Sequence, residues 1–143
     1  MPNELFLVDT SVWIFALRKE PILQIRDRID SLLKEDAVIT TGIIKLELLA
    51  GAKTEKEYGR LKSRFDALES LETDDELWRS ACEHAFKLRR RGFTVPSTDV
   101  LIASCALQAR AILLHADVHF DLMEKPLSLR CESYVQALKK ALS

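Results

Sequence analysis

Acidic residues follow two short apolar runs, at the points where buried strands would end. Asp9 comes directly after residues 5–8, and Asp117 follows residues 111–114 by a few positions. Unbroken apolar runs of this length are typical of strands that are buried on both faces of a parallel sheet. Because ligands bind at the carboxyl edge of such a sheet, we expect both carboxylates to lie at one site. The simpler interpretations are that Asp9 caps the next helix and that Asp117 makes a turn.

Two further acids lie on predicted helices. Glu47 lies on the apolar stripe of a helix, so it is either at the rim of that stripe or buried with a partner, since an unpaired buried charge is very costly. The stripe consists of Ile43, Leu46 and Ala50. Asp99 lies in the first turn of a helix that is apolar nearly all round, where the helix dipole favours an anion. The simpler interpretations are a rim glutamate bonded to Arg or Lys and an aspartate that only caps its helix.

Several carboxylates that converge on one point need a cation among them. Two like charges about 4 Å apart cost about 4 kcal/mol at an effective dielectric constant of about 20. A ligand set of carboxylates alone selects hard ions, which indicates Mg²⁺ or Mn²⁺. Such ions keep bound waters, bind phosphate oxygens and lower the pKa of an attacking water.

Short strands that alternate with helices must position these acids. We predict strands at 5–8, 37–40, 111–114 and 127–130, and helices at 12–17, 21–35, 42–50, 55–68, 74–90, 98–110 and 132–142. Residues 71–73 are too short a segment to assign as a strand. This alternation predicts an α/β fold with a parallel sheet covered on both faces. We find no repeat or linker, so residues 1–143 are expected to form a single domain.

The composition is typical of a globular protein and excludes several classes. The chain of 143 residues is 48% hydrophobic and 30% charged, with a formal net charge of −1, so a polyanion would have to meet a local basic patch or a metal. The odd cysteine count, without C-x-x-C spacing, favours reduced thiols over disulfides or a zinc site. No apolar run approaches the roughly 18 residues of a membrane span, and the start lacks the basic region of a signal peptide. We therefore expect a cytoplasmic protein that does not enter a membrane.

Four segments together resemble the successive motifs of PIN-domain proteins, and most closely the VapC toxins of bacterial and archaeal toxin–antitoxin pairs. The segments are LVDTSVWI at 7–14, KLELLAG at 45–51, GFTVPSTDVLIA at 92–103 and LLHADVHFD at 113–121. They cover almost the whole chain in the family's order and spacing. The resemblance implies a PIN-like three-layer α/β/α sandwich with a central, mainly parallel sheet. It also implies an acidic pocket that binds Mg²⁺ or Mn²⁺ and hydrolyses RNA phosphodiester bonds.

The resemblance also implies roles for individual residues. By position, Asp9, Glu47, Asp99 and Asp117 match the family's four acids. Asp9, Asp99 and Asp117 would hold a hydrated Mg²⁺ or Mn²⁺, and Glu47 would orient or deprotonate the attacking water. The Ser11 hydroxyl would hydrogen-bond to a metal ligand or face the substrate. The expected products carry a 5′-phosphate and a 3′-hydroxyl, and the expected protein is a homodimer that pairs with a VapB-like antitoxin.

Two histidines depart from the family pattern. His119 stands where many relatives carry a further acid, and His115 stands where a hydroxyl residue is common. These departures bear on a second metal position rather than on the first. Asp121 is a weaker candidate that could lend charge nearby. The spacing His115-x-Asp117-x-His119 also resembles a zinc motif of metallohydrolases, although no further cluster of histidines supports zinc.

Three consecutive arginines end a long predicted helix just before the Asp99 segment. Arg89, Arg90 and Arg91 complement the dipole at the helix C-terminus in the simpler interpretation. In the alternative, they form a basic rim that steers RNA phosphates, or the acidic tail of an antitoxin, to the pocket.

Two other functions compete with a nuclease. A phosphotransfer domain of the haloacid-dehalogenase type would use Asp9 as nucleophile, but it needs a second acid two residues later, where this chain has Ser11. A non-catalytic PIN-like module that binds RNA or protein would be expected to lose one or more acids, whereas all four are present. The sequence therefore favours a metal-dependent endoribonuclease.

Overall fold

The computed structural model of the protein describes residues 3–143, which form five strands and eight helices. The strands are β1 (Phe6–Val8), β2 (Val38–Thr41), β3 (Glu69–Leu71), β4 (Ile112–His115) and β5 (Cys131–Ser133). The helices are α1 (Thr10–Leu17), α2 (Leu23–Lys34), α3 (Gly42–Ala50), α4 (Glu55–Asp66), α5 (Asp75–Arg90), α6 (Ser97–Ala109), α7 (Val118–Leu127) and α8 (Val135–Leu142).

The sheet is parallel throughout, in the order β3-β2-β1-β4-β5. Strand β1 lies in the middle, because Leu7 pairs with Ile39 on one side and with Leu113 on the other. Leu7 and Val8 are fully buried, as the unbroken apolar run predicts for a strand covered on both faces. The predicted α/β fold with a central parallel sheet is confirmed.

The buried face of α3 differs from the predicted stripe. Ile44 and Leu48 point into the core, whereas Leu46 is 64% exposed. The Thr41 side chain caps this helix by accepting a hydrogen bond from the Ile44 N–H, which fixes how the helix leaves β2. Apolar residues occur on several sides of α3, so the pattern alone did not determine which side faces inward. The stripe of Ile43, Leu46 and Ala50 was therefore the wrong face.

The C-terminal third also contains elements that the pattern misassigned. Helix α7 occupies a region to which we assigned no helix or strand, and the strand expected at 127–130 lies instead at Cys131–Ser133. Pro126 in the last turn of α7 disfavoured a helix assignment, although a proline ring mainly removes a hydrogen bond to the preceding turn. The last helix begins at Val135 rather than at 132.

A short edge strand, β3, covers Glu69–Leu71 where no strand was assigned.

Among the helices within residues 3–143, none combines the length and the apolar character that crossing a bilayer requires. The three cysteines are free thiols, as expected from their number and spacing.

Candidate active site

Asp9 lies where the central strand turns into α1. Its backbone N–H donates to the Leu114 carbonyl at 2.9 Å, which holds the residue against β4. Its carboxylate accepts hydrogen bonds from the Ser11 N–H at 3.0 Å and from the Ser11 hydroxyl at 2.6 Å. Asp9 therefore does cap α1, as the simpler interpretation stated. Both hydrogen bonds use Oδ2, so Oδ1 stays outside this capping contact.

Ser11 connects the ends of the two central strands. While its hydroxyl donates to Asp9, the same oxygen accepts a hydrogen bond from the Ala116 N–H at 2.9 Å. Ala116 directly precedes Asp117 at the end of β4. One hydroxyl group therefore fixes both the carboxylate of Asp9 and the backbone that carries Asp117.

Asp117 is the N-cap of α7, a helix that was not expected. Its Oδ1 accepts a hydrogen bond from the His119 N–H at 2.9 Å. Its own N–H donates to Nδ1 of His115 at 3.3 Å, so the ring proton of His115 lies on Nε2, 3.5 Å from an Asp121 carboxylate oxygen. The His115 ring is fully buried, and burial lowers the pKa of this imidazole. His115 thus supports the turn that carries Asp117.

Asp99 lies in the first turn of α6 and faces Asp117 across His119. The His119 Nδ1 atom lies 3.1 Å from Asp99 Oδ2 and 3.1 Å from Asp117 Oδ1. One donor atom from each of the three residues fits within 4.8 Å of the other two, close enough to share a metal ion. The Asp99 side chain is only 13% exposed. Two carboxylates and one imidazole therefore form a compact set of potential ligands.

The charges of the acids act on one another. Burial, together with the charges of Asp117 and Asp9, raises the pKa of Asp99 to about 6, although His119 opposes the shift. Burial also raises the pKa of Asp9, against the hydrogen bonds from Ser11, and the charge of Glu47 adds to the rise. A cation among these carboxylates would remove their repulsion. The arrangement therefore fits a divalent metal ion.

Glu47 lies at the outer side of this site. It is exposed on α3, and its Oε1 accepts a hydrogen bond of 2.8 Å from the Thr10 hydroxyl. The rim position matches one of the two alternatives drawn from the sequence, but the partner is a threonine rather than Arg or Lys. Thr10 and Ser11 are consecutive, so the first turn of α1 orients two acids at once.

A basic groove runs from Glu47 along α1, α3 and α4. It has a volume of about 620 Å³, and the residues that matter for its charge and position are Thr10, Glu47, Arg18, Lys53, Arg60 and Arg64. Within residues 3–143, no acidic side chain forms a salt bridge with Lys53, Arg60 or Arg64. Glu57 is the second acid in the lining, so cations outnumber acids there. The groove suits a polyanion.

The predicted arginine triplet lies exposed at the C-terminal end of α5. The guanidinium of Arg90 stacks on the exposed ring of Phe86 at 5.6 Å, and that of Arg91 lies over Phe93 at 6.0 Å. Arg89 is also exposed. The connection from this helix end leads directly into α6 and Asp99.

The structure thus brings Asp99 and Asp117 together, with Asp9 close enough to raise the pKa of Asp99. The three-residue ligand set does not include Asp9 or Glu47. It includes His119, which the sequence analysis considered as a replaced acid and as one residue of a weak zinc motif, but not as a ligand of Mg²⁺ or Mn²⁺. Its position two residues after Asp117 was the available signal, because a side chain at the start of a helix turns back toward the capping residue.

Comparison with known proteins gives a consistent result. The family model described as "PIN domain" matches residues 6–126. VapC ribonuclease Mb1587 of Mycobacterium bovis is 31% identical over 134 residues, which cover 91% of this chain and 99% of that protein. Ribonuclease VapC18 of Mycobacterium tuberculosis is 29% identical over 122 residues, 81% of this chain and 85% of that protein.

Solved structures share the fold. VapBC2 from Rickettsia felis, bound to a DNA fragment from its promoter, has a TM-score of 0.75 at 21% identity and covers 90% of this chain and 98% of that chain. FitAcB from Neisseria gonorrhoeae has a TM-score of 0.70 at 21% identity and covers 89% of this chain and 96% of that chain.

Proposed function

Because this chain belongs to the PIN-domain family, we propose that it is a metal-dependent endoribonuclease and the toxin of a VapBC-type toxin–antitoxin pair. The observation that carries the proposal is the convergence of Asp9, Asp99 and Asp117 at the carboxyl edge of the central strands. Relatives named VapC ribonucleases align with this chain over nearly its full length, which supports the same activity here.

Asp99 and Asp117 would hold a Mg²⁺ or Mn²⁺ ion, with Asp9 beside them. The pKa of Asp99, raised by burial and by the charges of Asp117 and Asp9, supports this assignment, because a divalent ion would stabilise the ionised carboxylates. When bound, such an ion polarises phosphate oxygens and lowers the pKa of a water molecule. Ser11 keeps Asp9 and the backbone next to Asp117 in fixed positions, so the carboxylates need little rearrangement when charge develops on the phosphate.

Glu47 is suited to handle the proton of the attacking water. Its carboxylate is exposed to solvent and oriented by the Thr10 hydroxyl, at the end of the basic groove. A general base needs both a defined direction and access to water. Glu47 would accept the proton while the water displaces a ribose oxygen in line, which leaves a 5′-phosphate and a 3′-hydroxyl.

The basic groove supports RNA as the substrate. Among residues 3–143, no acidic side chain forms a salt bridge with Lys53, Arg60 or Arg64, which line the same groove as Glu47 and Thr10. A phosphate backbone would neutralise these cations. Arg89–Arg91 provide a second basic surface at the C-terminal end of α5, where Arg90 and Arg91 line a groove with Pro126 and Leu127. We assign to that surface a contact with RNA or with the antitoxin.

The proposed partners follow from the same family. The Rickettsia felis neighbour is a VapBC complex bound to promoter DNA, and we propose a VapB-like antitoxin for this chain as well. We also propose a single-domain, cytoplasmic homodimer. Two large exposed aromatic side chains on α5, Trp78 and Phe86, support the proposal of self-association.

A nuclease assay with defined variants tests the proposal. The purified protein is incubated with tRNA, rRNA and mRNA in Mg²⁺, Mn²⁺ or EDTA, beside Asp9→Asn and Asp99→Asn. Asp27→Asn is the matched control, because Asp27 is an exposed acid on α2. We expect cleavage by the wild type and the control in either metal, and none with EDTA or in the site variants. Cleavage that survives EDTA or both site substitutions would contradict the mechanism.

A further inference from the structure

We propose that His119 is a metal ligand through Nδ1 and that it makes this centre prefer Mn²⁺ over Mg²⁺. The inference rests on the metal centre of the proposed function and adds which ion that centre selects. It starts from the geometry of three atoms, since His119 Nδ1 lies 3.1 Å from Asp99 Oδ2 and 3.1 Å from Asp117 Oδ1. A metal ligand atom of each residue lies within 4.8 Å of the others.

The start of α7 fixes this position of the ring. Asp117 caps the helix by accepting the His119 N–H at 2.9 Å, so the same residue that offers an oxygen to the metal also anchors the backbone of His119. The ring is partly exposed, with 36% of its side chain accessible, so Nε2 can remain hydrated while Nδ1 turns inward. Asp99 meets it from the first turn of α6.

The ligand types determine the preferred ion. Mg²⁺ takes carboxylate oxygens and waters, and it gains little from an imidazole nitrogen. Imidazole suits transition metals, and carboxylates suit Mn²⁺ as well as Mg²⁺. A set of two aspartates and one histidine therefore suits Mn²⁺ through all three ligands, whereas Mg²⁺ is served by the two aspartates alone. An aspartate at position 119 would restore an all-oxygen set.

The other histidine of this segment does not make the centre a two-imidazole site. The Nδ1 of His115 accepts the Asp117 N–H, and its Nε2 faces Asp121 at 3.5 Å. Nδ1 is therefore engaged by the turn, and Nε2 points to Asp121 rather than to the three-atom group. Between the two ions of the proposed function, this single imidazole distinguishes Mn²⁺ from Mg²⁺.

Metal binding to the full-length protein, measured without RNA, tests the inference. Mn²⁺ is titrated by electron paramagnetic resonance, and Mg²⁺ is measured by its competition. For His119→Asp, we expect the ratio of Mn²⁺ to Mg²⁺ affinity to fall by at least about 10-fold. Even the loss of a residue that only hydrogen-bonds to a metal ligand lowers metal affinity by about 10- to 100-fold. The control is His84→Asn, since His84 lies on α5 against Ser104.

Electron spin echo measurements on bound Mn²⁺ report the ligand directly. We expect modulation from an imidazole nitrogen in the wild type and in His84→Asn, and its loss in His119→Asp. Mn²⁺ bound without nitrogen modulation, or an unchanged affinity ratio in His119→Asp, would overturn the inference. Circular dichroism spectra and melting temperatures show whether each variant is folded.

The two proposals fail in distinguishable ways. Nitrogen modulation from His119 in a protein that cleaves no RNA would contradict the nuclease function and support the ligand. Metal-dependent cleavage without that modulation would support the nuclease function and overturn the ligand. Failure of the wild type to bind either ion would contradict both.

Discussion

Asp9 and Glu47 are held on the two sides of the candidate site in opposite ways. Asp9 is 4% exposed, receives two hydrogen bonds from Ser11 and is tied by its backbone to β4. Glu47 is exposed on a helix and receives one hydrogen bond, from the Thr10 hydroxyl. A fixed, desolvated carboxylate suits a position next to a metal, whereas a carboxylate open to water suits proton transfer. The surroundings of each acid thus match a different task.

This comparison predicts that removing the charge of Asp9 has the largest effect. Asp9→Asn would lose several kcal/mol of electrostatic stabilisation at the phosphate, about 10³-fold in RNA cleavage rate. Because burial raises the pKa of Asp9, a neutral side chain costs less to bury there. We therefore expect the melting temperature of the metal-free protein at pH 7.5 to rise by about 2–4 °C. Single-turnover cleavage and thermal unfolding measure the two effects, and a lower melting temperature would contradict this account of Asp9.

The exposed acid is expected to give a smaller loss of activity with no change in stability. Glu47→Gln should lower the cleavage rate by about 10²-fold, within the range of general bases. Its melting temperature should equal that of the wild type, because Gln can still accept the Thr10 hydrogen bond on an exposed surface. Glu57→Gln is the control from the same groove. Equal loss of activity in both variants would mean that the charge of the groove matters rather than a proton acceptor.

Removing the Ser11 hydroxyl tests whether fixing the ligands matters. Ser11→Ala loses the donor to Asp9 and leaves the Ala116 N–H without its acceptor. A buried group left unsatisfied costs about 1–3 kcal/mol, and weakened support of a metal site costs about 10-fold or more in activity. Urea unfolding and the cleavage rate at saturating Mn²⁺ measure both. A variant as stable as the wild type would show that this hydroxyl does not hold the strand ends together.

The last prediction concerns the pH dependence of stability and needs no measurement of cleavage. The pKa of Asp99 is raised to about 6 from an ordinary value of 3.8, so the unfolded chain ionises this group at lower pH than the folded protein does. Its contribution to stability is therefore lost as pH rises from about 4 to about 6 in the metal-free protein, and it stays constant above that range. The Asp99→Asn variant should lack this loss of stability between pH about 4 and about 6, whereas Glu47→Gln should retain it. Melting temperatures from pH 4 to 7 measure the difference between variants, and parallel curves for wild type and Asp99→Asn would contradict the shift.

The sequence was sufficient to predict the centre of the fold. Unbroken apolar runs such as residues 5–8 are typical of strands covered on both faces, and the parallel sheet with β1 at its centre agrees with that expectation. The proximity of Asp99 to Asp117, with Asp9 close enough to raise the pKa of Asp99, agrees with the expectation that these acids lie at one site.

Other features depended on tertiary contacts that no local pattern contains. The inward face of α3 could not be predicted because apolar residues surround that helix, and only its packing selects Ile44 and Leu48. Helix α7 was missed because Pro126 and several charged residues interrupt the apolar periodicity of an amphipathic helix. The position of His119 depended on that helix, so the ring between Asp99 and Asp117 could not be foreseen without it.

The contact between Ser11 and Ala116 also constrains when the site can form during synthesis. The two residues are 105 positions apart. The hydrogen bond from the Asp9 N–H to the Leu114 carbonyl likewise requires that β4 has been synthesised. A nascent chain that has not yet exposed β4 outside the ribosome therefore has neither the partner strand of β1 nor Asp117. Because such long-range pairing forms late and slowly, the site cannot form until β4 has left the ribosome.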